Sequence, residues 1–370
     1  MAKIDFAHKA QRKMFEAILD SVIKHSNSDR TKAIKQLVDL VKKTMYDIWG
    51  SATYEMFGFS SKPDSKWMKY IDNLLNNVHP NIIKAKALNT AYEAGYRGFR
   101  IAQDMKKKHD INIPWIILVD PTSACNLKCT GCWSAEYGHL IQLSYEELDR
   151  IITEGEELGI YAWLMTGGEP LIRKADILKL AEAHPYSSFH IFTNGTLIDD
   201  AFCEEVVRLG NIAPSISLEG FEEVNDLRRG KGVFQKVMHA MDTMKKHKLL
   251  FGTSICYTSS NYKTVTSDEF LDMIISKGVK YTWYSITCLL EMMPLQIFYS
   301  HLNSESICIT ESEKSEQVKV ESLLSPLTSR MTVSTFQVVL QVVNITVTSI
   351  QMVMWNLVYL SIIHQLIFMT

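Results

Sequence analysis

Glycine and aspartate vanish from the end of this chain: no glycine follows Gly278 and no aspartate follows Asp272, although both are frequent before those points. Loops of a folded domain draw on these residues for turns, so residues 285–370 are not expected to form an ordinary packed domain. Serine, threonine, valine and leucine take their place. An excess of charge of one sign is also missing. With 39 Lys and Arg against 41 Asp and Glu, the formal net charge is -2, which excludes the chain-wide basic footprint of a nucleic-acid binder. An uninterrupted membrane span is missing too. Met352 to Phe368 is apolar but broken by Asn356, His364 and Gln365, and falls short of the roughly 20 residues a bilayer needs. The start, Met1-Ala2-Lys3-Ile4-Asp5, lacks the charged-then-apolar pattern of a secretory signal. Seven cysteines, an odd number with three in one loop, speak against a disulfide framework and for a reducing, cytoplasmic setting.

What is present bounds the fold. A chain of 370 residues that is 46% hydrophobic can bury a large core and divides naturally into two or three domains. Residues 1–111 carry helical signals, such as Ile34, Leu37, Val38 and Val41 spaced along one helix face. Lys106-Lys107-Lys108-His109 reads as a charged connector closing this region. It is either a solvated face or, more sharply, a dock for an acidic electron donor. Such an arm would cover the next domain or recruit substrate.

From residue 112 to 284, short β-branched runs alternate with helical patterns. Trp115 to Asp120 reads as a buried parallel strand. Ser144 to Leu158 reads as a helix, with Ser144 as N-cap, Glu147 completing a capping box and Gly159 as the stop. Further strands are expected at Ile160–Met165, Phe189–Phe192, Ala213–Leu218 and Leu250–Tyr257, and a sixth from Val279. Six strands alternating with helices imply an α/β fold, a partial and open (β/α)6 parallel barrel.

The first strand runs into Cys125-Asn-Leu-Lys-Cys129-Thr-Gly-Cys132-Trp. Ligands of parallel α/β folds bind past the carboxyl ends of strands, so these three thiols stand where chemistry is expected. A CxxxCxxC loop offers three thiolates to a cluster of four irons, which leaves one iron open, since such clusters normally take four cysteines. The alternatives are a zinc site closed by a fourth ligand such as His139, or buried apolar thiols. Cys203 and Cys256 read as small packed residues. The second strand ends in Thr166-Gly167-Gly168-Glu169-Pro170. Its glycines permit close approach and positive φ, and Pro170 fixes the exit. That turn can present carbonyls and the Glu169 carboxylate to an ammonium group. The third and fourth strands end in the polar tips Thr193-Asn194-Gly195 and Ser217-Leu218-Glu219-Gly220.

The order of these motifs across residues 112–284 resembles that of the radical S-adenosylmethionine (SAM) enzymes. The resemblance implies a 4Fe-4S cluster on Cys125, Cys129 and Cys132, with the amino and carboxylate groups of SAM on the open iron. It implies that Gly167, Gly168, Glu169 and Pro170 hold the SAM amino group, and that Asn194, Ser217 and Glu219 contact its ribose and methionine parts. Reductive cleavage of SAM would then give a 5′-deoxyadenosyl radical that takes hydrogen from a substrate, at the cost of an electron from a low-potential donor such as flavodoxin or ferredoxin. Two departures are visible. Asn225 stands where many of these enzymes have histidine, so no catalytic role is carried over to it. Gly131 precedes the third cysteine where an aromatic residue is common, with Trp133 after it. Arg229 is a candidate carboxylate binder or a solvated charge. Other classes remain open: an iron–sulfur or zinc module without SAM chemistry, or a non-catalytic remnant.

The resemblance also bears on the tail. Reading residues 285–370 one base out of frame forces aspartate and alanine at Met292-Met293-Pro294, and permits FHYMPVGNDA directly after Tyr284. Further on, Met352-Val353 forces glycine, Met354-Trp355 forces valine and Trp355-Asn356 forces glutamate. The resulting DGDVEPC is similar to a segment of the SPASM domain, which carries auxiliary iron–sulfur clusters and is typical of enzymes that modify peptides. The tail is therefore expected to be a frameshifted remnant of such a domain.

Overall fold

The computed structural model describes residues 6–24, 32, 34, 39, 65–132, 134, 140–258 and 260–286. The expectations for Leu37, Val38, Val41, His139, Trp133 and residues 287–370 lie outside them, while Ile34 is buried against Val22 and Met68.

Six parallel strands pair in sequential order, from β1 (Ile116–Val119) through β2 (Ala162–Met165), β3 (Ser188–Thr193), β4 (Ile212–Ser217) and β5 (Gly252–Tyr257) to β6 (Thr282–Ile286). The first and last strands do not pair with each other. The sheet is therefore the open partial barrel anticipated from the sequence, each strand lying within two or three residues of its apolar run. Helices connect the strands and cover the outer face. Trp163, Phe189, Ile191, Ile212 and Ile255 pack there against Leu148, Ile177, Phe202, Val237 and Phe270 in one continuous core. The inner face is smaller: Leu118, Leu164, Phe192, Ile116 and Trp283 form a separate apolar cluster. His190 also lies there, its Nε2 accepting from Trp283 Nε1 at 3.0 Å and lying 2.7 Å from Ser215 Oγ. Burial pushes this imidazole down to about 3, so it is neutral and serves as an acceptor.

Local rules place the helices. The helix Tyr145–Glu157 starts in the expected capping box: Ser144 Oγ accepts the Glu147 amide at 3.2 Å and Glu147 Oε2 accepts the Ser144 amide at 2.7 Å. Lys106 to His109 are not a connector but the last turn of the helix Phe99–His109, which Asp110 ends with a left-handed φ of 54°. Three lysines at a helix C-terminus oppose the negative end of the helix dipole, which favours helix there.

The described part of the N-terminal arm covers the strand-starting end of the barrel. Lys86 Nζ donates to Ser188 Oγ and Phe189 O, both at 2.9 Å, and burial lowers its amine to about 7. Asn89 Nδ2 donates to Pro185 O and Ser187 O, and Asn81 Nδ2 to Val207 O. The backbones of Gly98 and Gly159 touch so closely that a Cβ on Gly98 would lie 2.2 Å from Gly159 O. Gly98 ends a loosely wound π-helical stretch, Leu88–Gly98, in which the buried Glu93 accepts from His8 and Arg12 of the first helix. No described helix is long and apolar enough to cross a membrane.

Gly155 shows how tightly the outer layer is packed, since a Cβ there would lie 2.4 Å from the buried Trp163 ring. Alanine would gain about 1 kcal/mol in helix propensity, whereas overpacking costs about 1–3 kcal/mol. Packing should win. Gly155→Ala is expected to lower the urea midpoint, and a raised midpoint would show that the helix moves away freely.

Candidate active site

The strand-ending side of the barrel gathers the polar tips. Hydrogen bonding between the first two strands continues beyond them. Thr166 N donates to Val119 O at 3.1 Å, Gly168 N to Thr122 O at 2.9 Å and Glu169 N to Ala124 O at 2.8 Å. The cysteine loop is thus pinned to the glycine turn up to the residue before Cys125. This approach needs both glycines. A Cβ on Gly168 would lie 2.2 Å from Ala124 O, and Gly167, with φ of +111°, would place one 2.5 Å from Thr122 O. The close approach inferred from the sequence is therefore at least partly protein to protein. A return limb closes the loop's base: Ser123 N donates to Ile141 O at 2.8 Å, and Arg173 Nη1 to Leu143 O at 2.7 Å.

The three loop cysteines are half-buried, and none is in a disulfide. Cys125 Sγ accepts the Leu127 amide at 3.5 Å, and Cys129 Sγ faces Arg229 Nη1 at 4.0 Å. Burial pushes the Cys125 and Cys129 thiols up, while Arg229 pulls Cys129 back toward the thiolate. One zinc ion would draw its sulfurs to within about 3.8 Å of one another, from Zn–S bonds of about 2.3 Å at tetrahedral angles. No three His, Cys, Asp or Glu side chains among the described residues converge in the way a single metal ion requires. A four-iron cluster asks each thiolate for a different iron. Three unpaired thiols on one pinned loop, with N–H donors facing two sulfurs, fit that demand.

Around the loop the predicted residues divide by what they touch. Glu169 is buried; Oε1 accepts from Leu171 N at 2.9 Å and Thr193 Oγ1 at 2.7 Å, and Oε2 accepts from Asn194 N at 2.7 Å. Burial raises its carboxyl against the pull of these three bonds. Pro170 follows as the first residue of a short 3-10 helix, Pro170–Arg173. Asn194 Nδ2 donates to Asn126 Oδ1 at 2.8 Å while its Oδ1 accepts from Thr196, so Asn194 braces the cysteine loop from β3. Ser217 is half-buried in register with Ser254 on β5. Glu219 is buried, with Oε1 paired to both Arg228 and Arg229 and Oε2 accepting the Cys256 amide at 3.0 Å.

Arg229 is therefore not a solvated charge: it is 11% exposed, paired to Glu219 and beside Cys129. Cys256 does not pack like Cys203, which is wholly buried in the outer core; it is half-buried next to Glu219. Three further residues, Asn126, Arg228 and Asn261, were not singled out from the sequence, and Asn225 was noted there without a role. Asn126 lies within the cysteine motif, and Arg228 passes its carbonyl to Thr130 N at 2.8 Å. Asn225 Oδ1 accepts the Glu219 amide at 3.2 Å, and Asn261 Nδ2 donates to Glu219 O at 3.0 Å. The Asn126 position in the CxxxCxxC run was the one available signal.

Residues 119–275 match the model of the Radical SAM superfamily. An uncharacterized protein of Archaeoglobus fulgidus is 33% identical over 135 residues, 36% of this chain and 32% of its own length. The cysteine-type anaerobic sulfatase-maturating enzyme of Clostridium perfringens is 29% identical over 171 residues, 40% of this chain and 45% of its own. Each of these relatives is thus spanned over less than half its length. Among solved structures, SuiB of Streptococcus suis bound to S-adenosylmethionine aligns with 60% of this chain and 53% of its own, at 20% identity and a TM-score of 0.49.

Gly168→Ala should displace the cysteine loop, because its new methyl meets a backbone carbonyl rather than a flexible side chain. The expected outcome is a folded chain by circular dichroism that retains less than half of the wild-type iron after reconstitution. Full iron content would mean that the two turns are not coupled.

Proposed function

We propose that this chain is a radical SAM enzyme in which Cys125, Cys129 and Cys132 hold the 4Fe-4S cluster that the family uses with S-adenosylmethionine, since residues 119–275 match the Radical SAM superfamily model. When bound, the two cofactors together supply a 5′-deoxyadenosyl radical able to abstract hydrogen. The observation that supports the assignment is the ladder from Val119 to Glu169, which holds the entry of the loop bearing three unpaired thiols beside the glycine turn. Gly167, Gly168, Glu169 and Pro170 form the proposed seat of the SAM amino group. Glu169 can offer it only the capacity left by three protein donors, so backbone carbonyls of the turn take part. Asn194 orients the cysteine loop through Asn126, while Ser217 and Glu219 line the strand-ending rim. Arg228 and Arg229, offset by one Glu219, leave a net positive charge beside Cys129 and Cys132. Charge and hydrogen bonds at the sulfurs are levers on a cluster's potential.

A peptide or protein substrate is the class we favour, because relatives include a sulfatase-maturating enzyme and a sporulation killing factor maturation protein. The electron donor would be flavodoxin or ferredoxin, and the setting a reducing cytoplasm. The loss of glycine and aspartate after residue 278 supports a second reading, in which the barrel is intact but the tail is a frameshifted remnant of an auxiliary-cluster domain. In that case SAM cleavage survives without turnover of the natural substrate.

Anaerobic reconstitution tests the first reading. The wild type should take up about four irons per chain, bind SAM and release 5′-deoxyadenosine under strong reductant, while Cys129→Ala should lose the brown chromophore. Four irons retained by Cys129→Ala would overturn the ligand assignment; a full cluster without SAM binding would leave only a cluster module. Sequencing the DNA across codons 284 and 285 tests the second. A one-base change there should restore an open frame with several further cysteines, and absence of such a frame would refute the remnant.

A further inference from the structure

One carboxylate oxygen inside the barrel, on the half-buried Asp120, has no partner among the described residues. Asp120 follows the last residue of β1. Val119 faces the outer core and Leu118 the inner cluster, so strand alternation turns Asp120 inward. Its Oδ1 is buried and meets no hydrogen-bond donor. The glycine turn lies against it, since a Cβ on Gly167 would sit 3.1 Å from the Asp120 Cβ. Burial alone raises its carboxyl to about 6, with no neighbouring cation to pull it back. Every other carboxylate at this end of the barrel that has been described is spent: Glu169 on three donors, Glu219 on two arginines and an amide.

An unpaired buried carboxyl destabilises a fold, and such a group in a cleft is a candidate for function. Deeper in the lumen Leu118, Leu164, Phe192 and Trp283 form an apolar wall that also holds the neutral His190, bonded to Trp283. A single carboxylate beside an apolar, partly aromatic wall suits a cationic nitrogen carried on a hydrocarbon stem. We propose that Asp120 is a substrate-binding residue that takes a protonated nitrogen of the substrate while the adjoining stem lies against Leu118, Leu164, Phe192 and Trp283. This rests on the lumen being the reaction chamber of the radical SAM domain. For a peptide substrate, it points to a basic side chain or an amino terminus at the barrel.

The full chain, reconstituted, is titrated calorimetrically with n-pentylammonium, n-pentanol and pentanoate, each with and without SAM. The wild type should bind the ammonium in preference to the alcohol and reject pentanoate. Asp120→Asn should bind the ammonium about tenfold or more weakly while keeping wild-type SAM affinity. As a readout free of any ligand, Asp120→Leu should raise the thermal midpoint, because it removes a buried unpaired charge. The proposal is overturned if the wild type does not prefer the ammonium, if Asp120→Asn binds it equally, or if Asp120→Asn loses SAM, which would make Asp120 a SAM ligand instead. A lowered midpoint for Asp120→Leu would equally overturn it in favour of a structural role. Failure of the wild type to bind SAM would count against the proposed function, while the titrations without SAM still decide this inference.

Discussion

The contact between the glycine turn and the entry to the cysteine loop is the constraint on which the rest of the site depends. Three backbone hydrogen bonds extend the pairing of β1 and β2 past the end of the sheet, and they form only because two adjacent residues lack a Cβ. Regular strands already fix where Val119 and Met165 lie. The extension carries that precision outward, so that Cys125 leaves from a point held by the sheet rather than by a free loop. A site built this way inherits the rigidity of a buried parallel sheet, in which every strand but the two at the edges is bonded on both sides.

A second set of contacts holds the far side of the loop through charge. Glu219 is buried, and isolated it would carry a large desolvation cost. Two arginines and one amide offset that cost, and Asn225 and Asn261 fix the backbone that bears it. Arg228 meanwhile accepts the Thr130 amide through its carbonyl. The same two residues therefore set both the position and the electrostatic surroundings of Cys129. Asn194 completes the frame from β3 through Asn126. Residues expected to touch a ligand thus turn out to touch the loop that would hold it, and the two roles share atoms.

Much of the barrel was legible because buried parallel strands read as apolar, β-branched runs, and because Ser144 and Glu147 mark a helix start by chemistry that needs no tertiary partner. The glycine turn was legible as a place of close approach, though its immediate neighbour was not. What sequence could not give were pairings between distant residues: Asn126 and Asn194 lie 68 positions apart, and nothing local marks them as partners. Arg229 could be read as a carboxylate binder or as a solvated charge, and sequence could not choose because its burial depends on Glu219, ten residues away. The Lys106–Lys108 run looked like a connector because charge density alone does not reveal a helix C-terminus. Asp120 was readable as a strand-end acid, but its lack of a partner is a property of the assembled lumen.

The helical layer across the strand-starting end has a kinetic consequence. Among the described residues, Lys86, Asn89 and the Gly98–Gly159 contact cover that end, which leaves the strand-ending mouth and the seam between β1 and β6 as ways into the lumen. A molecule reaching Leu118 and Leu164 through the mouth must pass the level of the glycine turn. For molecules that use the mouth this imposes a queue: whatever sits deepest arrives first and departs last, and an occupant of the mouth sets the escape rate of everything behind it.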